Sequence, residues 1–308
     1  MAGRTSCARA GNAVASQIAI MVDTAARCHR LLTKLKDFKM RISALVFALS
    51  SLTVAPAVSS AHELWLEPLA YQVERDGQLQ AQIKNGEDFA GTTLPYLDRR
   101  FRHFITFNDG SGIKVTGRNG DIPALNMAAS RNGLNVLAYQ STPATITYES
   151  WEKFQKFVDH KDFGNVRPEH DARGLPESDF TETYVRYSKS LIGVGDSTGA
   201  DQRVGLETEM VALTNPYTDD LSEGFKVQLF YGPDVRANEQ IEVFAKAPDD
   251  TVTVSLVRTD ADGIATIPVT SGTAYQLDAV VLRAATGQAE ANGSAYETLW
   301  ANMTFMAP

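Results

Sequence analysis

Cysteine is nearly missing from this sequence. Of 308 residues only Cys7 and Cys28 are cysteine, and both precede residue 62. From residue 62 onward that excludes disulfides, thiolate metal sites and cysteine nucleophiles, so any metal there needs His, carboxylate or backbone donors. Positive charge is also short. Residues 62–308 carry 21 Lys and Arg against 35 Asp and Glu, a net charge of −14. Such a surface repels nucleic acid and anionic membranes and attracts cations. No run of 18 apolar residues follows residue 61, so a membrane-spanning helix is not expected there and the exported chain should be soluble. A Gly-rich phosphate loop, a Gly-x-Ser-x-Gly elbow and a His-Glu-x-x-His helix are all missing, which removes the commonest catalytic motifs.

What is present begins with an export segment. Met40-Arg41 is a short basic start, Ile42 to Val54 is uncharged and apolar, and Pro56 breaks the run. Ser59 and Ala61 then stand at the −3 and −1 positions of a signal peptidase site. Residues 40–61 are read as a signal peptide and residues 1–39 as a leader or a misassigned start. The exported, periplasmic chain is expected to begin at His62.

The rest is expected to be mainly β, as two antiparallel β-sandwich domains with one short helix between. Residues 62–148 hold HELWLEP, QLQAQIK, RFRHFITF, IKVTG, LNVLAYQS and ATITY, separated by Gly, Asn and Asp clusters. Residues 149–202 form a connector. Ser150 can cap a helix whose Trp151, Phe154, Phe157 and Val158 make one apolar stripe, and a polar loop follows His160. FTETYVRYSKSLIGVG suits helix or strand, and its ending in Gly193-Val194-Gly195 favours strand. Residues 203–308 hold seven further strand candidates, ETEMVAL, FKVQLFY, EQIEVFAK, TVTVSLVR, GIATIPV, YQLDAVVLR and ETLWANMTF. Thr259-Asp260-Ala261-Asp262-Gly263 reads as a Gly-terminated hairpin turn, since it lacks the later ligands of a calcium loop.

Chemistry centres on histidine. Cleavage after Ala61 would leave His62 with a free α-amine, and amine and ring Nδ1 can chelate one metal ion. One further imidazole would complete a histidine brace. Nitrogen donors of this kind suit Ni(II) and Cu(II), with copper the tighter. His103 shares a strand face with Phe101, Ile105 and Phe107 and is expected to point inward with His62, Leu64 and Leu66. His160 is expected to follow the helix, where it could cap the C-terminus, and His170 is expected in an exposed loop. His62, His103, His160 and His170 are the candidate metal ligands, with Glu63, Glu67, Asp159 and Asp162 as additional hard donors.

HELWLEP after the signal, then FTETYVRYSKSLIGVG, GLETEMVALTNPY, TDADGIATIPV, YQLDAVVLR and ETLWANMTF occur in an order that resembles the periplasmic domain-of-unknown-function family 4198, over residues 62–306. The second sandwich also resembles prealbumin-like and carboxypeptidase-regulatory-like domains, which are usually non-catalytic. Members of the family are often described as accessory components of nickel or cobalt uptake. The resemblance implies a non-enzymatic periplasmic protein that binds nickel or cobalt and serves an inner-membrane metal uptake transporter. Two other readings remain open: a copper histidine-brace carrier or redox enzyme, and a structural or carbohydrate-binding sandwich module without metal.

Overall fold

A computed structural model describes residues 62–308; the leader, the signal segment 40–61 and both cysteines lie outside the described residues. The first strands in chain order are β1 (Glu63–Pro68), β2 (Gln72–Val73), β3 (Gln78–Glu87), β4 (Ala90–Leu94), β5 (Phe101–Asn108) and β6 (Ser111–Lys114). There follow β7 (Leu125–Ala128), β8 (Gly133–Ser141), β9 (Ala144–Tyr148), helices α1 (Trp151–His160) and α2 (Arg167–Ala172), and β10 (Phe180–Val194). The second half supplies β11 (Thr208–Ala212), β12 (Phe225–Tyr231), β13 (Asp234–Val235), β14 (Gln240–Lys246), β15 (Val252–Arg258) and β16 (Ile264–Ile267). The chain closes with β17 (Thr273–Ala284), helix α3 (Gly287–Ala291) and β18 (Tyr296–Ala307). All seven strands expected after residue 203 are present. No helix among the described residues is long and apolar enough to cross a membrane.

The strands make three sheets. A central ten-stranded sheet runs β15-β14-β17-β18-β10-β8-β5-β6, with β2 and β9 paired to β10. One four-stranded outer sheet holds β1, β3, β4 and β7, and the other holds β11, β12, β13 and β16. The two sandwiches expected from strand counting therefore share their middle layer, because strands from both sides of residue 203 enter one sheet.

Alternation along the central strands decides what each face packs against. Leu191, Leu277, Ala279, Met303 and Phe305 point to one face and pack with Met210, Phe225, Val227 and Leu229 of the second outer sheet. Ile192 and Val194 point to the other face, with Leu137 and Tyr139, and meet Leu64, Leu66, Ile83 and Leu125 of the first outer sheet. Between these cores the second face is polar. Ser188, Asn302, Asp278 and Glu242 form one cross-strand row, and Ser190, Thr304 and Gln276 form the next. This polar stretch is not solvated: all seven side chains are buried. Strand β1 covers one side of it, the carbonyl of Leu66 accepting from Thr304 Oγ1 at 2.6 Å.

Helix α1 covers the other side. Ser150 caps it, its Oγ accepting from the Lys153 N–H at 3.4 Å. Phe154 and Val158 are buried, and Phe157 stacks on Trp300 of β18 with centroids 5.8 Å apart. The helix ends where Asp162 takes a left-handed φ of +57°, a conformation that Asp tolerates better than most residues.

Three expectations about the elements themselves need correction. The connector carries a second helix, α2, opened by Pro168 in its first turn, and α3 adds another beyond it. His103 faces solvent, because Phe101 opposes Ser141 while His103 opposes Gln140, and the bulge between them shifts the alternation so that Phe104 takes the inward place. The Thr259–Gly263 turn exists, with Gly263 at φ +72° and Asp260 Oδ1 accepting from the Ile264 N–H. It joins β15 of the central sheet to β16 of an outer sheet instead of closing a hairpin.

Candidate functional site

The four candidate histidines have four different surroundings. His62 lies exposed just before β1, against the expectation that it points inward with Leu64 and Leu66. Glu63 pairs with Gly86, so His62 falls one step further on, beside Glu87. Its Nδ1 is 3.0 Å from Glu87 Oε1, and both side chains are about half exposed, 52% and 46%. His103 is exposed on β5, on the side away from the core.

His170 is buried, against the expectation of an exposed loop. It sits on α2 against the rings of Trp151 and Phe180. Its Nε2 is 3.0 Å from the Pro176 carbonyl and its Nδ1 3.0 Å from the Tyr296 hydroxyl. A carbonyl only accepts, so Nε2–H donates to it and Nδ1 accepts from the tyrosine O–H. Neither ring nitrogen is left for a metal.

His160, the last residue of α1, reaches inward to a cluster of buried charge. Its Nε2 is 2.6 Å from Glu242 Oε1. Lys161 follows and drives its ammonium under the helix, where it bonds to Glu242 Oε2 and, at 3.1 Å, to Asp278 Oδ2. Glu63 of β1 brings a third carboxylate to 3.6 Å from the same nitrogen. The aromatic floor is Trp300, with Lys161 Nζ 4.7 Å from the ring centroid and Arg186 Cζ 4.1 Å from it.

Protonation follows from this crowding. Burial, reinforced by the charge of Asp278, pushes Glu63 up to about 7. Burial likewise raises Asp278, overriding the nearby Lys161. Burial works the same way on Glu242, but the hydrogen bond from His160 and the charge of Lys161 prevail and hold it below the ordinary range. His160 is raised, chiefly by its bond to Glu242. Burial would lower Lys161, yet Asp278, Glu242 and Glu63 together raise it to about 12.

Among the described residues, Glu63, Glu242 and Asp278 are the one trio of potential ligands whose atoms lie within 4.8 Å of one another. The Lys161 ammonium stands among them as a built-in cation, so a metal ion would have to displace it. The arrangement is a clamp tying α1 and β1 to the central sheet. The other candidate carboxylates serve structural partners. Glu67 accepts from Trp65 Nε1 at 2.8 Å, Asp159 from Gln155 at 2.7 Å, and Asp162 pairs with Arg258. Sequence reading missed Lys161, Glu242, Asp278 and Arg186 because each looks like an ordinary polar residue on an amphipathic element.

A family profile described as Domain of unknown function (DUF4198) matches residues 59–283. The chain belongs to the DUF4198 family. The match takes in His62, Glu87 and every carboxylate of the clamp. No curated protein matches the sequence. Among solved structures, the tetra-tandem repeat in the extending region of a large adhesion protein is 10% identical, with a TM-score of 0.18 over 80% of this chain and 50% of that one. The chain thus spans half the length of that repeat structure. The D0-D1 domain of Intimin is also 10% identical, with a TM-score of 0.18 over 78% of this chain and 97% of that one. At such scores neither likeness bears on fold or function.

Proposed function

We propose that this DUF4198 protein is a periplasmic binder of a divalent transition metal, nickel or cobalt, which it delivers to an inner-membrane uptake transporter. His62 is its anchoring ligand. The observation that carries this reading is the exposed His62–Glu87 pair, with Nδ1 and Oε1 3.0 Å apart. Two donors at right angles about one ion, each bonded at roughly 2.0–2.2 Å, lie about 2.9 Å from each other. The pair therefore has the spacing of cis ligands, a spacing that also suits a hydrogen bond between them. If export trims the chain at His62, the α-amine adds a second nitrogen from the same residue. The ion would then meet two nitrogens and one carboxylate at an accessible edge, a set suited to capture and release. The net charge of −14 on residues 62–308 favours a cation's approach.

A copper histidine brace needs a further imidazole. His103 points to solvent, His160 is engaged by Glu242, and His170 has both nitrogens occupied. The carboxylate of Glu87 fits nickel or cobalt better than it fits a brace.

The test is elemental analysis of protein purified from the periplasm, followed by calorimetric titration with Ni, Co, Cu and Zn. Nickel or cobalt should bind one-to-one, and His62→Ala or a single Ala added before His62 should remove that binding while the fold persists. Unchanged affinity in both variants would overturn the reading.

A further inference from the structure

Arg186 is a buried arginine whose guanidinium has no hydrogen-bond or ion-pair partner among the described residues. The residue is only 5% exposed. No hydrogen bond or ion pair from a described residue reaches its side chain, and Nη1 is sealed from solvent without an acceptor. Of the neighbouring carboxylates, Glu182 accepts from Tyr148 and Thr298, while Asp278 and Glu63 each turn one oxygen to Lys161 and keep the other without a hydrogen bond; none of the three is paired with Arg186. The guanidinium carbon lies over the Trp300 ring, 4.1 Å from its centroid, and 5.0 Å from that of Tyr184. A cation held over aromatic rings is attracted by their quadrupoles and needs no hydrogen-bond acceptor for that attraction.

Arg186 forms part of the wall of a cavity of about 210 Å³ between the first outer sheet and the central sheet. Leu64, Ile83, Leu94, Phe101 and Tyr139 give it an apolar body. Ser141 Oγ accepts from the Arg186 backbone N–H at 2.9 Å, which leaves its own O–H free to donate. Arg100, an exposed residue, also belongs to the lining. In a chain rich in acid, no acidic side chain among the described residues lines this cavity.

We propose that this cavity is a binding site for a small organic carboxylate, its carboxylate held by the Arg186 guanidinium and Ser141 hydroxyl and its apolar body lying against Leu64, Ile83 and Phe101. A guanidinium presents parallel N–H donors that match the two oxygens of a carboxylate. An apolar pocket with a few converging polar groups is the usual form of a small-molecule site. The volume is below the roughly 300–1,000 Å³ of drug-sized sites, which limits the ligand to a small acid. The site is separate from the proposed metal ligands and does not depend on them.

Calorimetric titration of the purified protein tests this, in metal-free buffer that contains no carboxylate. Benzoate and hexanoate are the probes, with benzyl alcohol as the uncharged control. At least one acid should bind saturably and one-to-one, with benzyl alcohol about tenfold weaker or worse. Arg186→Gln should weaken the acid by about tenfold or more, and Ala144→Leu, which adds bulk to the cavity wall and keeps the arginine, should do the same. Circular dichroism checks that each variant is folded, and the acid-versus-alcohol comparison on the unaltered protein stands even if one is not. No saturable binding of either acid, or equal affinity for benzyl alcohol, would overturn the proposal. So would undiminished binding in a folded Arg186→Gln.

Discussion

Glu242 and Asp278 stand directly opposite each other on β14 and β17, and Lys161 from beyond the end of α1 bonds to both. Like charges in such a pair repel. What makes the placement tolerable is the ammonium between them, supplied by an element distant in sequence. Residue 161 thus fastens the helix to the sheet through charge, while Phe154 and Val158 fasten it through apolar burial.

Removing that ammonium should be costly. Lys161→Met keeps much of the stem and deletes the charge, leaving buried carboxylates without a cation. Breaking a buried ion pair on one side typically costs about 3–5 kcal/mol. We expect a loss of that order in urea unfolding, with partial recovery when Asp278→Asn is added. A Lys161→Met loss under about 1 kcal/mol would show that the charges are hydrated rather than clamped.

Stability should fall as pH rises from 5 to 8. Glu63 and Glu182 are each pushed up to about 7 from an ordinary 4.5, first of all by burial. Between those values the folded chain holds protons that the unfolded chain has released, so raising pH favours unfolding. His160, raised by Glu242, acts with the same sign: its contribution is complete below its unfolded pKa and is lost as pH climbs through the folded one. Glu242 is lowered and opposes this trend only under acid conditions, below the ordinary carboxylate range. The urea midpoint at pH 5, 6, 7 and 8 measures the slope, and Glu63→Gln should flatten it. For Glu63 the limit is about 3 kcal/mol over the window. A midpoint that rises with pH would contradict the assignment.

Much of the fold was legible because alternation is a local property. EQIEVFAK, YQLDAVVLR and ETLWANMTF announce strands, and Ser150 before Trp151 announces the helix. Strands β4 and β7 were missed because AGTTL and LNMA carry little apolar alternation. The inward reading of His103 failed at a bulge that leaves no mark in the sequence. The clamp was harder to see. Alternation assigns Glu242, Asp278 and Asn302 to the face opposite the core, and solvent is the default occupant of that face. Their rows hold a warning, since Phe244, Val280 and Trp300 share the same face. Only contacts distant in sequence, from β1 and α1, show that this face is covered. Lys161 looked like a polar residue just past a surface helix for the same reason.

His170 separates a core histidine from a ligand. His170→Ala would leave the Tyr296 hydroxyl and the Pro176 carbonyl without their bonds and open a cavity among aromatic rings. Each orphaned buried group costs about 1–3 kcal/mol, so a destabilisation of roughly 2–5 kcal/mol is expected. Metal affinity of the folded fraction should not change. Lost affinity with intact stability would return His170 to the ligand set.

The pH dependence of metal capture distinguishes a nitrogen site from the acidic surface. Proton and metal compete for the same lone pairs, so each donor must be deprotonated to bind. An ordinary imidazole titrates near 6.5 and an α-amine near 7.7–8.0, whereas carboxylates remain ionised down to about 4. If His62 anchors the ion through both nitrogens, affinity should fall steeply from about pH 8 to pH 5, with more than one proton released per metal. Extending the chain by one Ala blocks the amine and should reduce that count. Glu87→Gln should weaken affinity by removing one donor. Calorimetry with nickel in buffers of different ionisation enthalpy gives the proton count directly. A flat profile would mean that the ion is held by carboxylates alone, at a site other than His62.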